Sequence, residues 1–285
     1  MSLVEIPDTD SWTFTSAHTG VEHRIDIALP TDLDHRLSRA GSESGSPAYP
    51  VVVVLDGNVT FPLVYATMRM LTMHGEAEEV LIVGMSYPGI KGMRDAMAVR
   101  TRDLTPTETS WWDDVFIHHA TPEAPLPDYL GSGGGRRFLD CITQEVLPAV
   151  HERYPTDPTR VTLLGHSFGG LFGLETLFTR PESFSHYLIG SPSVWWDGQV
   201  ILRHEEESAV AREDLPANVF LAVGGGEPDF MLSDMYAVAQ RLRSHDYPGL
   251  SLTTHVVPDQ SHKASVPSFV LTGLRHVHGR VHVHR

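Results

Sequence analysis

The five residues GHSFG, Gly165 to Gly169, could carry nucleophilic chemistry through the hydroxyl of Ser167. They match the pattern G-x-S-x-G, in which a serine lies on a sharp turn between a strand and a helix, and glycines keep side chains away from the neighbouring backbone. An apolar run precedes this turn and an apolar-rich helical pattern follows it. We therefore predict that Ser167 is a nucleophile and that the backbone N–H of Phe168 faces the oxyanion that would form there.

A serine nucleophile needs a base, and the chain order Ser, acid, His places that base just after the last strand. The chain has 17 histidines, so the presence of a histidine alone decides little. We choose His262, because it lies in the segment HVVPDQSHKASVP between the last predicted strand and the closing helix. His166 neighbours the serine, and we predict that its side chain points away from the site.

The acid that orients the histidine is expected after the penultimate strand, in LAVGGGEPDFM. Glu227 and Asp229 both lie there, and we prefer Glu227. Its role would be to fix the imidazole tautomer and to stabilise the imidazolium. A Ser–His pair that works without an acid stays open as an alternative.

A second oxyanion donor is expected in the loop LDGNVTF, which follows the first buried strand of the parallel sheet. We assign this role to the backbone N–H of Asn58, with Gly57 making room for it. Asp56 in the same loop fits a turn-forming role.

Strands that alternate with helices predict an α/β fold, with a mostly parallel central sheet and helices on both faces. The strand ends then share one edge, where ligands bind in such sheets. Residues 11–17 and 21–29 alternate as two antiparallel strands would. Residues 88–132 contain five prolines and lack clear periodicity, so we predict a long loop over the active-site edge of a single domain, residues 1–285.

The net charge of -15, from 36 acidic and 21 basic residues, argues against a surface for nucleic acid or anionic membranes. Cys141 is the one cysteine, so an internal disulfide is excluded. The first residues lack a signal-peptide pattern, and no apolar run approaches the ~20 residues of a membrane span. We expect a cytoplasmic protein. The sequence predicts no metal and no cofactor, and it does not indicate the oligomeric state.

The segment GHSFGGLFGLETLFTRPESFSHYLIGSPSVWWD resembles the esterase-D-type esterase family, and within it the IroE and Fes branch of siderophore esterases. The segments VVVVLDGN, VGMSYP, RTRDLTPT and VGGGE also fit that branch, and the resemblance covers roughly residues 12–275. It implies an α/β-hydrolase fold and metal-free serine esterase chemistry, with Ser167 and His262 as the core pair. Part of that branch works with a Ser–His dyad.

Three residues are assigned to substrate binding alongside this resemblance. Arg102 in RTRDLTPT would hold an anionic or catecholate group, and its alternative is an ion pair with Asp103. Tyr87 in VGMSYP and Trp195 in SPSVWW would line the pocket. For the tryptophan, packing that anchors a long loop is the alternative.

The predicted function is that of a serine carboxylic-ester hydrolase, which forms an acyl-enzyme on Ser167. Its partner would be a small natural-product ester, anionic or aromatic, with an enterobactin-like siderophore lactone as the specific case. An acyltransferase or a thioesterase on the same fold is one alternative. A catalytically silent binding protein is the other, and the intact Ser167 and His262 argue against it.

Overall fold

The computed structural model describes residues 6–33, 48–90, 93–118 and 131–280. Within them, eight strands form one sheet in the order β1-β2-β4-β3-β5-β6-β7-β8. The strands are β1 (Thr9–Thr15), β2 (Glu22–Ala28), β3 (Tyr49–Val54), β4 (Leu81–Ser86), β5 (Thr156–His166), β6 (His186–Gly190), β7 (Ala217–Gly224) and β8 (Leu250–Val257). The β1–β2 and β2–β4 pairs are antiparallel and all other pairs are parallel. The predicted mostly parallel sheet with two antiparallel entry strands is confirmed.

Helices cover both faces of this sheet. They are α1 (Gly57–Met73), α2 (Met93–Leu104), α3 (Ser110–His118), α4 (Gly135–Asp140), a π-helical segment (Cys141–Val146), α5 (Leu147–Arg153), α6 (Phe168–Thr179), α7 (Trp196–Ala211), α8 (Asp229–Ser244) and α9 (Val266–His278). All six residues of β3 are buried, and alternate residues point into different cores: Val51 and Val53 into one, Val52 and Val54 into the other. This explains why the strand is an unbroken apolar run.

Two stretches are more helical than the sequence predicts. Part of residues 88–132 forms α2 and α3, whereas residues 119–130 lie outside the described part of the chain. The apolar positions of α2 that are buried, such as Ala98 and Leu104, are interrupted by charged residues, so the segment shows no clear apolar period. Helix α7 was not predicted, and its backbone departs from helical geometry at residues 197–199. The single-domain boundary stays a prediction.

None of the helices in the described ranges is long and apolar enough to span a membrane. Cys141 is buried as a free thiol.

Candidate active site

Ser167 forms the turn between β5 and α6 by itself, since β5 ends at His166 and α6 begins at Phe168. Its backbone has φ 62° and ψ −116°, a conformation that a residue with a Cβ adopts only at a cost of about 1–3 kcal/mol. Gly165 is required here, because a Cβ at this position would lie 2.3 Å from the carbonyl oxygen of Gly169. The helix backbone therefore packs directly on the strand and holds the serine at the sheet edge.

The hydroxyl of Ser167 lies 3.4 Å from the hydroxyl of Ser193, in the loop after β6. The backbone N–H of Ser167 donates to the carbonyl oxygen of Gly190 at 2.9 Å, which ties the turn to the neighbouring strand. Within the described residues, Ser167 Oγ makes no direct hydrogen bond to His262. Such contacts are often long before substrate binds and shorten in the complex.

His262 lies in the loop after β8 and bonds to Glu227 in the loop after β7. The distance from His262 Nδ1 to Glu227 Oε2 is 2.6 Å. The other carboxylate oxygen, Oε1, accepts hydrogen bonds from the Ser191 hydroxyl and from the Gly224 N–H, the latter at 2.8 Å. Burial alone would raise the pKa of Glu227, but the bonds from His262, Ser191 and Gly224 outweigh it and lower this pKa. An ionised carboxylate thus faces one ring nitrogen of the histidine.

Within the described part of the chain, Asp229 does not contact His262, which pairs with Glu227 instead. Asp229 is the first residue of α8 and is exposed. An acidic residue in the first turn interacts favourably with the helix dipole, which explains its presence there.

His166 does not point away from the site, and that prediction was wrong. Its ring centroid lies 4.7 Å from that of His262, and the ring also packs near Phe269 at 6.2 Å. Burial, followed by the proximity of His262, lowers the pKa of His166 to about 3. His166 is therefore neutral near pH 7, and its ring packs against the ring of His262. The sequence signal was its position next to Ser167.

The burial of His166 makes stability depend on pH. The unfolded chain takes up a proton near the ordinary value of 6.5, whereas the folded protein does so only near 3. Stability from this group is therefore complete above about pH 6.5 and is lost as the pH falls toward 3. We expect urea unfolding at pH 5 to show about 2 kcal/mol less stability from this residue than at pH 7. His166→Asn should reduce the pH dependence by that amount, and an unchanged dependence would contradict the assignment.

Three potential metal ligands meet at this place. Donor atoms of His166, Glu227 and His262 lie within 4.8 Å of one another. Both oxygens of Glu227 already accept hydrogen bonds, one of them from a ring nitrogen of His262. Hydrogen bonding therefore accounts for the approach of His262 to Glu227, whereas the buried His166 Nε2 has no hydrogen-bond partner among the described residues. The expectation of metal-free chemistry stays a prediction.

The two residues assigned as oxyanion donors both begin helices. Phe168 is the first residue of α6 and Asn58 the second of α1, where backbone N–H groups have no acceptor within the helix. The helix starts lie side by side, because the Leu55 N–H donates to the Leu164 carbonyl at 3.0 Å across β3 and β5. The Asn58 side chain accepts from the Tyr87 N–H at 2.8 Å and donates to the Tyr87 carbonyl at 2.9 Å. Their role as oxyanion donors stays a prediction.

Arg102 and Tyr87 meet at one buried carboxylate, that of Asp103. Arg102 donates to Asp103 from Nε at 2.6 Å and from Nη2 at 2.7 Å, and its side chain is only 14% exposed. The Tyr87 hydroxyl donates to the same carboxylate at 2.9 Å, and burial followed by Asp103 raises the pKa of Tyr87 well above its usual range. This network favours the alternative role for Arg102, an ion pair that holds its loop. Sequence reasoning did not identify Tyr87 as part of it.

Replacing Arg102 separates the two roles. A role in binding anionic substrates requires Arg102→Ala to raise KM for anionic esters and to leave p-nitrophenyl acetate nearly unchanged. Because Asp103 engages the guanidinium, we expect instead a similar loss of kcat/KM on charged and neutral esters, with a lower melting temperature. A selective rise in KM for anionic esters, measured by steady-state kinetics, would contradict the structural role.

An aromatic cluster lies against the turn at Ser167. Its members are Trp111, Trp112, Trp195, Trp196 and Phe168, with ring centroids 5.2–6.4 Å apart. Trp195 contacts Phe168 at 6.0 Å, and Trp111 leaves 43% of its surface exposed. The cluster anchors α3 and α7 to α6. Contact between Trp195 and a substrate stays a prediction.

Sequence reasoning missed two serines of this site. Ser191 and Ser193 follow β6, in the segment SPS, and contact Glu227 and Ser167. Their position in the sequence could have indicated them, because β6 lies between β5 and β7 in the sheet and the loop after β6 therefore lies between the loops after those strands.

A strained serine lies between β5 and α6. The loops after β7 and β8 supply a histidine–carboxylate pair. These features define a member of the α/β-hydrolase fold with a serine at the turn after its central strand. Residues 128–244 match the family described as “Putative esterase”. A ferri-bacillibactin esterase of Bacillus subtilis is 31% identical over 230 residues, covering 77% of this chain and 71% of that protein. The chain belongs to this esterase family.

Further relatives agree with this membership. A siderophore triacetylfusarinine C esterase of Aspergillus fumigatus is 32% identical over 209 residues, covering 73% of this chain and 63% of its own length. The chain thus spans less than two thirds of that relative. The crystal structure of the BES protein from Bacillus cereus has a TM-score of 0.78 at 27% identity, covering 98% of both chains. An IroE-like serine hydrolase from Shewanella oneidensis has a TM-score of 0.76 at 27% identity, covering 94% of this chain and 79% of its own. The resemblance to the IroE and Fes branch is confirmed.

Proposed function

We propose that this protein is a serine hydrolase that cleaves the ester bonds of a siderophore. The observation that carries the chemistry is the 2.6 Å contact between His262 and Glu227, set beside the strained turn of Ser167. Such a pair can accept the proton of a serine hydroxyl and return it to an alcohol.

The proposed reaction has two halves. Ser167 Oγ attacks the ester carbonyl while His262 takes its proton at Nε2, since Nδ1 faces Glu227. The N–H groups of Phe168 and Asn58 stabilise the tetrahedral oxyanion. His262 then gives the proton to the leaving alcohol as the C–O bond breaks and the acyl-enzyme forms. His262 then takes a proton from a water molecule, whose oxygen attacks the acyl-enzyme carbonyl. The bond between the acyl carbon and Ser167 Oγ breaks as His262 returns the proton to Oγ, which releases the carboxylic acid and the free serine.

The substrate class is supported by the relatives and by the aromatic cluster. Two relatives are named as siderophore esterases, one for triacetylfusarinine C and one for ferri-bacillibactin. The exposed face of Trp111 beside Trp195 offers a flat apolar surface for an aromatic part of the ligand. An enterobactin-like lactone remains the specific proposal. The cytoplasm remains the proposed compartment.

A panel of esters tests the substrate class. Catechol lactones, acyl glucosides and short acyl esters would be incubated with the protein, and products would be separated by liquid chromatography. We expect kcat/KM for the lactones to exceed that for the other classes by about tenfold or more, since the extra contacts of a matched substrate contribute 1–3 kcal/mol. Lactones left intact while short acyl esters are cleaved would contradict the proposal. Ser167→Ala is the blank for each substrate.

A further inference from the structure

The guanidinium of Arg100, in the last turns of α2, lies between two loops of the site. Its Nε donates to Asp56 Oδ1 at 2.5 Å and its Nη2 donates to Asp56 Oδ2 at 3.0 Å. Nη2 also donates to the backbone carbonyl of His166 at 3.5 Å, and Nη1 contacts Met97 Sδ at 3.4 Å. The side chain is only 18% exposed, and each of its three nitrogens contacts an atom of the protein.

The two loops that Arg100 joins lead directly into the helices whose first turns carry the proposed oxyanion donors. Asp56 comes two residues before Asn58, and His166 comes two residues before Phe168. Each loop also contains a residue with a Cβ in a left-handed conformation, φ 54° at Asp56 and 62° at Ser167. Such backbone persists only where the surrounding structure holds it. A bidentate bond to one loop and a bond to the other supply such a restraint.

Arg100 also restrains the nucleophile side through an aromatic contact. Its Cζ lies 5.5 Å from the ring centroid of Phe168, whose N–H is the first proposed donor. Oxyanion stabilisation requires both donors to lie about 2.7–3.1 Å from one point. The relative position of the two loops therefore decides whether both N–H groups can reach the same oxygen.

We propose that Arg100, together with Asp56, is a positioning residue that sets the geometry of the oxyanion hole and does not bind substrate. This inference rests on the proposed function of the site. It gives this arginine a role that acts through Asn58 and Phe168.

The test compares Arg100→Gln with Arg69→Gln. Arg69 is a matched control: it donates to Asp8 at 3.1 Å and to the Leu29 carbonyl at 3.0 Å, lies 5.0 Å from the Tyr65 ring, and is 17% exposed. It lies about 16 Å along α1 from Asn58, the proposed donor on that helix. We expect Arg100→Gln to lower kcat about 10- to 100-fold with KM within about threefold, because outright loss of one oxyanion donor costs about 10² to 10³ in kcat. Arg69→Gln should keep kcat within about twofold.

A transition-state analogue gives a second readout. Phenylboronic acid forms a tetrahedral adduct on an active-site serine, and its inhibition constant should rise in Arg100→Gln by the same factor as kcat falls. Asp56→Asn keeps a residue that tolerates left-handed backbone and should produce a similar loss. The double variant should lose little more than either single variant, since both changes break one contact.

Each outcome decides the inference. A rise in KM at constant kcat would make Arg100 a substrate ligand and overturn it, and so would a loss of kcat no larger than in Arg69→Gln. If Arg100→Gln does not fold, Arg100→Lys decides, because it keeps the charge but not the bidentate geometry. We expect it to melt near the wild type and to lose kcat about tenfold, and full activity would overturn the proposal. A wild-type protein that neither cleaves esters nor binds the boronate would instead refute the proposed function.

Discussion

Replacing Ser167 or His262 by alanine is expected to lower kcat/KM by about 10⁵-fold, and replacing both should cost little more than either one alone. The reason is that the two side chains act as one unit. Without the histidine the hydroxyl keeps its proton, and without the hydroxyl the histidine has nothing to activate. Steady-state hydrolysis of p-nitrophenyl acetate by the two single variants and the double variant measures this non-additivity.

Ser233→Ala and His74→Ala are the controls for these variants. Ser233 is exposed on α8 and its hydroxyl bonds to a carbonyl of its own helix, and His74 is exposed at the end of α1. Both should keep activity within about twofold. Single losses that multiply in the double variant would show that the serine and the histidine act independently.

Glu227→Gln is expected to lower kcat by about 10³-fold or more, whereas Asp229→Asn should leave it within about twofold. The amide oxygen of glutamine can still accept from Ser191 and Gly224, as Glu227 Oε1 does. Its NH₂ group then faces His262 Nδ1 and favours the tautomer with the proton on the wrong nitrogen, an effect that costs about 10⁴ in a serine protease triad. Asp229 begins α8 in solvent, so its loss affects mainly the helix dipole.

The size of the loss in the Glu227→Gln variant gives a further check. A loss below about tenfold would show that Ser167 and His262 work as a dyad. A larger loss in Asp229→Asn than in Glu227→Gln would show that the acid is Asp229 and that the assignment to Glu227 is wrong.

The strands could be predicted from the sequence because strands that are buried on both faces consist almost entirely of apolar residues. β3 and β4 are buried throughout and appear as continuous apolar runs, and β5 becomes apolar where it enters the sheet. The order of loops along the sheet edge followed from parallel topology, so Ser167, Glu227 and His262 were predicted to meet there.

Other features depend on contacts that a single sequence does not show. Helix α2 buries apolar residues against the core, but charged residues between them hide the apolar period in the sequence. α7 contains left-handed backbone at Asp197 and Gln199, which no local pattern indicates. The choice between Glu227 and Asp229 depends on where α8 begins. Arg100 and Arg102 look alike in the sequence, yet different carboxylates engage them.

Fluorophosphonate labelling followed by peptide mass spectrometry tests the central claim, an activated hydroxyl at residue 167, most directly. We expect a single adduct on Ser167, formed slowly in His262→Ala and absent in heat-denatured protein. No adduct under conditions that label a known serine hydrolase, or an adduct on Ser193 in place of Ser167, would contradict the account.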